Sequence, residues 1–152
     1  MAAGTFTLYS SNKDDLNVNA LVGATVNLAL VTSSYTPDSA VAGHDEWADV
    51  SANEIAGTGG YTTGGVALGT KVATAITGGF KFSSANPSWT AGGGNIAAHR
   101  YYVMYVVGSL WGKTNPLIGY FVGDSTPADI PATTDGNTLT VTVPADGWFD
   151  VV

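Results

Sequence analysis

Cysteine is missing from this chain and charge is scarce. Without cysteine there is no disulfide framework, no thiolate metal site and no thiol nucleophile. Charged residues make up 11% of the 152 residues, against about 25% in an ordinary globular protein. Bases are the scarcest: Lys13, Lys71, Lys81, Arg100 and Lys113 are all there are. So few scattered cations cannot track a phosphate backbone, which argues against nucleic acid as a partner. A net charge of −7 likewise argues against an anionic membrane surface. Long apolar runs are also lacking. Residues 20–31 and 101–110 are the best, and both fall short of the roughly 20 residues a bilayer-spanning helix needs. The opening Met-Ala-Ala-Gly-Thr-Phe has neither a basic nor an apolar region, so no secretory signal is expected.

What is present suits one folded domain. Hydrophobic residues make up 45%, with 4 Trp, 7 Tyr and 5 Phe, an aromatic content foreign to disordered chains. The chain also holds 20 Gly, 6 Pro and 19 Thr, so its surface is expected to be built from small uncharged residues. The charge is unevenly placed. Residues 1–54 carry a net −6, residues 124–152 a net −5, and the acid-free stretch 55–123 a net +4. Buried strands with a few solvated lysines explain that middle stretch most simply; a mildly basic face meeting an acidic neighbour is the sharper reading.

Apolar alternation predicts a short strand at residues 5–9 and a central one at 25–32, where Val26, Leu28 and Leu30 share a face. Further strands are expected at 66–68, 71–76, 79–82, around Trp89, and at 98–107, which is apolar on both faces. The series continues with 117–122, 138–143 and 148–151. Asp135-Gly136 reads as a hairpin turn. Trp47 and Val50, with Ser51 and Glu54 as a capping box, predict one short helix within 44–56. The glycine-rich stretch 57–65 reads as an ordered loop anchored by Tyr61. Short strands with Gly, Pro, Asn and Asp turns predict an all-β, single-domain β-sandwich or jelly roll. Residues 1–24 would form an N-terminal arm and first strand of that domain, and 25–152 its body.

Motifs for chemistry are weak. Gly112-Lys113-Thr114 has the end of a phosphate-binding loop, but the required first glycine is Val107 and Pro116 replaces the helix that should follow. His44, Asp45, Glu46 and Asp49 are the densest polar cluster. His44 and Glu46 could join a metal or act as a base. A zinc site needs three or four convergent ligands, however, and the other histidine, His99, is 55 residues away. A solvated helix start is the simpler reading. A Gly-x-Ser-x-Gly nucleophile turn is absent. No catalytic residue, cofactor or metal is expected. The spread of Trp47, Trp89, Trp111 and Trp148 leaves a carbohydrate-binding module as a rival, because tryptophans on a β-sandwich can stack on sugars.

The order of several segments is more telling. Residues 26–37, ending Ser-Ser-Tyr35-Thr36-Pro37, precede His44-Asp45-Glu46-Trp47-Ala48-Asp49-Val50 and the loop 57–68. Trp89, residues 98–105, Asn115-Pro116-Leu117-Ile118-Gly119-Tyr120 and a terminal Asp-Gly-Trp-Phe follow. This order, over roughly residues 25–150, resembles a family of small virion proteins of tailed bacteriophages. The resemblance implies a capsid decoration (cement) protein, made in the host cytoplasm and carried on the outer capsid surface. Its partners would be the major capsid protein and further copies of itself, as a homotrimer or alternatively a dimer. A tail or fibre adhesin is the alternative function. The chain departs from the family at residues 5–9, where a β-like opening replaces a more helical, charged one. Contact elements expected on this reading are Phe6, Leu8 and Tyr9 of the arm, the turn of Tyr35, Thr36 and Pro37, and Tyr61 of the glycine loop.

Overall fold

The computed structural model describes residues 3–152. The fold is all-β, made of antiparallel sheets with one short helix. Its centre is β7 (Tyr101–Val107), paired along its whole length with β2 (Thr25–Val31), from Thr25 opposite Val107 to Val31 opposite Tyr101. On its other side lies β10 (Leu117–Val122), with a register shift between Leu117 and Gly119. The edges of this five-stranded sheet are β1 (Thr7–Leu8), beyond β10, and β3 (Val66–Ala67), beyond β2. A three-stranded sheet orders β12 (Phe149–Val151), β5 (Gly79–Ser83) and β4 (Val72–Ile76). Two ribbons complete the set: β6 (Ser88–Thr90) with β11 (Thr138–Thr140), and β8 (Ser109–Leu110) with β9 (Lys113–Thr114).

The central strands are apolar on both faces because both faces are covered. On one, Val26, Leu28, Leu30, Tyr102, Met104 and Val106 share a core with Phe82, Trp89, Trp148 and Phe149 from the other sheets. On the opposite face, Ala29, Val31, Val103 and Tyr105 pack with Tyr9, Tyr35, Trp47 and Val50. Trp47 lies flat on Tyr105, centroids 4.3 Å apart and planes 6° apart.

That second cover corrects the helix expected within 44–56. The segment forms two 3₁₀ turns, Trp47–Asp49 and Ser51–Asn53. Its backbone is tied to strands at both ends. The Trp47 amide donates to Asn115 O and the Leu117 amide to Asp45 O, while the Thr32 and Ile55 amides donate to Asn53 O and Leu30 O. Too few free groups remain between these ties for a run of i→i−4 bonds. The capping box is Glu46 with Asp49, not Ser51 with Glu54. The Asp45 amide, joined by that of Glu46, holds the Asp49 carboxyl below its ordinary value.

Among the described residues the one α-helix, α1 (Val18–Gly23), is instead a short stretch before β2. The Asn17 side chain caps it by accepting from the Ala20 amide at 3.2 Å, and Val18 and Leu21 enter the core. Asp135-Gly136 makes a turn but not a hairpin. Thr133 on one side pairs with Ile96 and β11 on the other with β6, so both flanks follow the 88–96 segment.

The glycine loop is ordered around Tyr61, which is 2% exposed. Its hydroxyl donates to Glu54 Oε1 at 2.6 Å and accepts from the Leu30 amide at 3.1 Å. The same Glu54 oxygen takes the Gly64 amide at 2.6 Å, and Gly64 O accepts from Tyr105 Oη and Asn27 Nδ2. Gly65, at φ +84°, lets the loop pass against Leu28 O, where a Cβ would collide with backbone. Replacing Tyr61→Phe strands the Leu30 amide and one Glu54 bond in the interior. The expected cost is about 1–3 kcal/mol, read as a lowered urea midpoint with unchanged slope.

Candidate docking groove

The arm is an edge strand. The Gly4 amide donates to Val122 O at 2.8 Å and the Tyr9 amide to Ile118 O at 3.1 Å, with β1 paired to β10 between them. Phe6 holds the arm down. Its ring stacks on Phe149 at 5.4 Å and 20° and meets Trp148 at 6.2 Å and Phe121 at 6.3 Å. Gly119 makes room, since a Cβ there would run into the Phe6 ring. Asn12, buried just beyond the arm, donates to Asp45 O and Leu117 O and accepts from Lys113 Nζ at 2.6 Å.

A groove of about 780 Å³ runs beside this arm. Gly4 to Leu8 form one wall and Gly147 to Asp150 the other, with Lys13 and Asp146 also on the lining. Each wall holds a strand at a sheet edge, because among the described residues β1 pairs only with β10 and β12 only with β5. The Tyr9 amide points to β10, so ladder alternation turns the Leu8 amide toward the open side. Behind Phe6 and Trp148 lies an apolar cavity of about 430 Å³, bounded by Tyr102, Phe121, Ile130, Leu139 and Val141. Two unpaired edges facing one slot can take an extended peptide as an added strand, with backbone bonds supplying affinity.

The expected contact residues divide here. Phe6 and Leu8 line the groove, half-buried. Tyr9 and Tyr35, 1% and 2% exposed, are committed to the interior. Their hydroxyls share a 2.7 Å hydrogen bond, and Tyr35 Oη lies 2.9 Å from His44 Nδ1. Burial pushes the Tyr9 hydroxyl far up and that of Tyr35 to about 12. Tyr61 is likewise spent inside, so of those turns only Thr36 and Pro37 reach solvent. The far wall, residues 147–150, escaped the reading of contact elements from sequence. Its signal was the Asp-Gly-Trp-Phe ending, which only the fold sets beside the arm.

The other candidates resolve into structural parts. Lys113 donates to Asn12 Oδ1 and Ser11 O and pairs with Asp45 at 3.4 Å. The preceding Trp111-Gly112 turn, at φ +56° and +72°, joins β8 to β9. No group of three metal-ligating side chains occurs among the described residues. Trp47, Trp89 and Trp148 are buried, leaving Trp111 as the partly exposed tryptophan. No family model, curated protein or solved structure matches the chain.

His99 is 2% exposed and sits edge-on to Tyr102 at 4.8 Å, with no hydrogen-bond partner on either ring nitrogen. Burial lowers its pKa from 6.5 to about 4, while the nearby Ala97 backbone and then the Asp129 carboxylate pull the other way. The unfolded chain therefore takes up this proton first. Stability is expected to be full above about pH 6.5 and to fall as the pH drops towards 4, by up to about 3 kcal/mol from this group. Urea unfolding of the His99→Leu variant across that window should show a shallower loss than the parent. Parallel curves would refute the assignment.

Proposed function

We propose that this chain is a non-enzymatic capsid decoration (cement) protein whose β-sandwich, of jelly-roll type, docks on the outer surface of a phage head. The observation that carries this reading is the slot between the open edges of β1 and β12. An extended segment of the major capsid protein would enter it as an added strand, bonding to the outward Leu8 amide and lying against Phe6 and Trp148. Such a contact rests on backbone and apolar groups, which suits a chain with only 11% charged residues. The resemblance of its segment order to small virion proteins of tailed bacteriophages is in keeping with this reading.

In mechanical terms, a strand shared between copies of the capsid protein and this chain adds contact area where internal pressure pulls the shell apart. Many such contacts per head add their modest individual stabilisations to the shell. The burial of Trp47, Trp89 and Trp148 favours docking over glycan stacking, for which Trp111 is the one partly exposed indole left.

Heads stripped of the protein should burst at lower temperature and under milder osmotic shock than intact ones, and adding purified protein back should restore them. The Leu8→Pro variant removes the outward amide without touching the β10 ladder. Because the Leu8 side chain also packs on the core, Leu8→Ala, which keeps the amide, is its control. The proline variant should bind stripped heads at least tenfold more weakly than the alanine one. Stripped heads as robust as intact ones would sink the cementing role.

A further inference from the structure

We propose that β4 is a self-association edge, along which two copies of this chain pair antiparallel about a two-fold axis through Thr74. This deepens the shell reading by naming where copies meet, and it rests on that reading only for its biological setting.

Among the described residues strand β4 pairs with β5 alone, and no strand lies along its other side. Val72 is 45% exposed, and Thr74 and Ala75 are exposed too. An open edge is normally protected by a charge, a proline or a bulge. Residues 72–76, Val-Ala-Thr-Ala-Ile, have no charge or proline, and the β4–β5 register runs without a break. The acid-free middle of the chain contains this strand.

The strand also reads nearly the same in both directions. With Thr74 on the axis, Val72 falls opposite Ile76 of the second copy, Ala73 opposite Ala75, and Thr74 opposite Thr74. An isologous contact demands this self-complementarity. The hydrogen bonding agrees. The two-residue turn Thr77-Gly78 closes on the pair Ile76 and Gly79. Alternation from that closing pair directs the backbone groups of Val72, Thr74 and Ile76 to β5 and those of Ala73 and Ala75 outward. The proposed register needs the outward groups at Ala73 and Ala75, and places Thr74 in a close, non-hydrogen-bonded pair where two threonines pack well.

No like charges collide. Lys71 falls opposite Thr77 of the second copy. Lys81 lies beside Thr74 on β5, with Asp150 beyond it. The two Lys81 positions would be three strand spacings apart, roughly 14 Å, which is beyond the Debye length of about 8 Å in physiological salt. The product is a continuous six-stranded sheet. A two-fold contact favours a dimer over the trimer that the family resemblance implies.

The absence of cysteine makes the test clean. In the Thr74→Cys variant the two thiols would face each other across a close pair, within disulfide reach. Mild oxidation of the free protein should convert most of it to a covalent dimer. The Val72→Cys variant should not cross-link with itself, since its two thiols would be about 14 Å apart along the strand. Mixed with Ile76→Cys it should give the heterodimer. The Thr74→Lys variant, which sets like charges across the axis, should run as a monomer in light scattering with an unchanged circular dichroism spectrum. Cross-linking of Val72→Cys as fast as Thr74→Cys would overturn the register, and a parent chain monomeric at millimolar concentration would overturn the pairing. Both are read on free protein, so either failure stands apart from the outcome with stripped heads.

Discussion

Strand β7 has no face to give to water. Five successive residues, Tyr102 to Val106, are buried, so the fold must supply two covers for one sheet. The first is built from other strands and α1, which bring Phe82, Trp89, Trp148 and Leu21 beneath it. The second is irregular chain between β2 and the glycine loop, with Tyr35, Trp47 and Val50 as its apolar content. Irregular backbone is costly to bury unless its polar groups are partnered. That requirement explains the dense bonding of this region to neighbouring strands and to Glu54.

The few charged side chains are accordingly put to structural use. Glu54 organises the glycine loop, Glu46 accepts from the Thr114 amide at 2.7 Å, and Lys113 ties Asn12 and Asp45 together. Arg100 pairs with Asp129 at 2.8 Å beside the buried His99. These ties hold the irregular cover of the sheet in place, while Lys13, Asp146 and Asp150 stand along the groove.

Much of the β pattern was legible in sequence. Alternation located β2, β7 and β10, and the doubly apolar character of residues 98–107 marked β7 as central. Tyr61 was legible as a loop anchor because an aromatic among glycines has few other uses. The helix was misplaced for a physical reason. The spacing of Trp47 and Val50 fits a helical face, yet it equally fits two 3₁₀ turns whose ends are claimed by strands distant in sequence. α1 was hidden in an apolar run, with only Asn17 to announce it. The groove was half legible: Phe6 and Leu8 stood out as apolar residues near an end, whereas their facing wall at 147–150 is set by tertiary contact alone.

The stack of Phe6 on Phe149 joins the first strand of the chain to its last. During synthesis, the residues that seat Phe6 emerge long after Phe6 itself, and contacts of such sequence separation are slow to form. Until Trp148 and Phe149 arrive, the arm has no floor and the groove has no second wall. An arm without Trp148 and Phe149 beneath it would keep its ladder to β10 but lose the ring stack that seats Phe6. The shape of the groove is thus set jointly by two segments far apart in sequence, and a change in either one reshapes both walls.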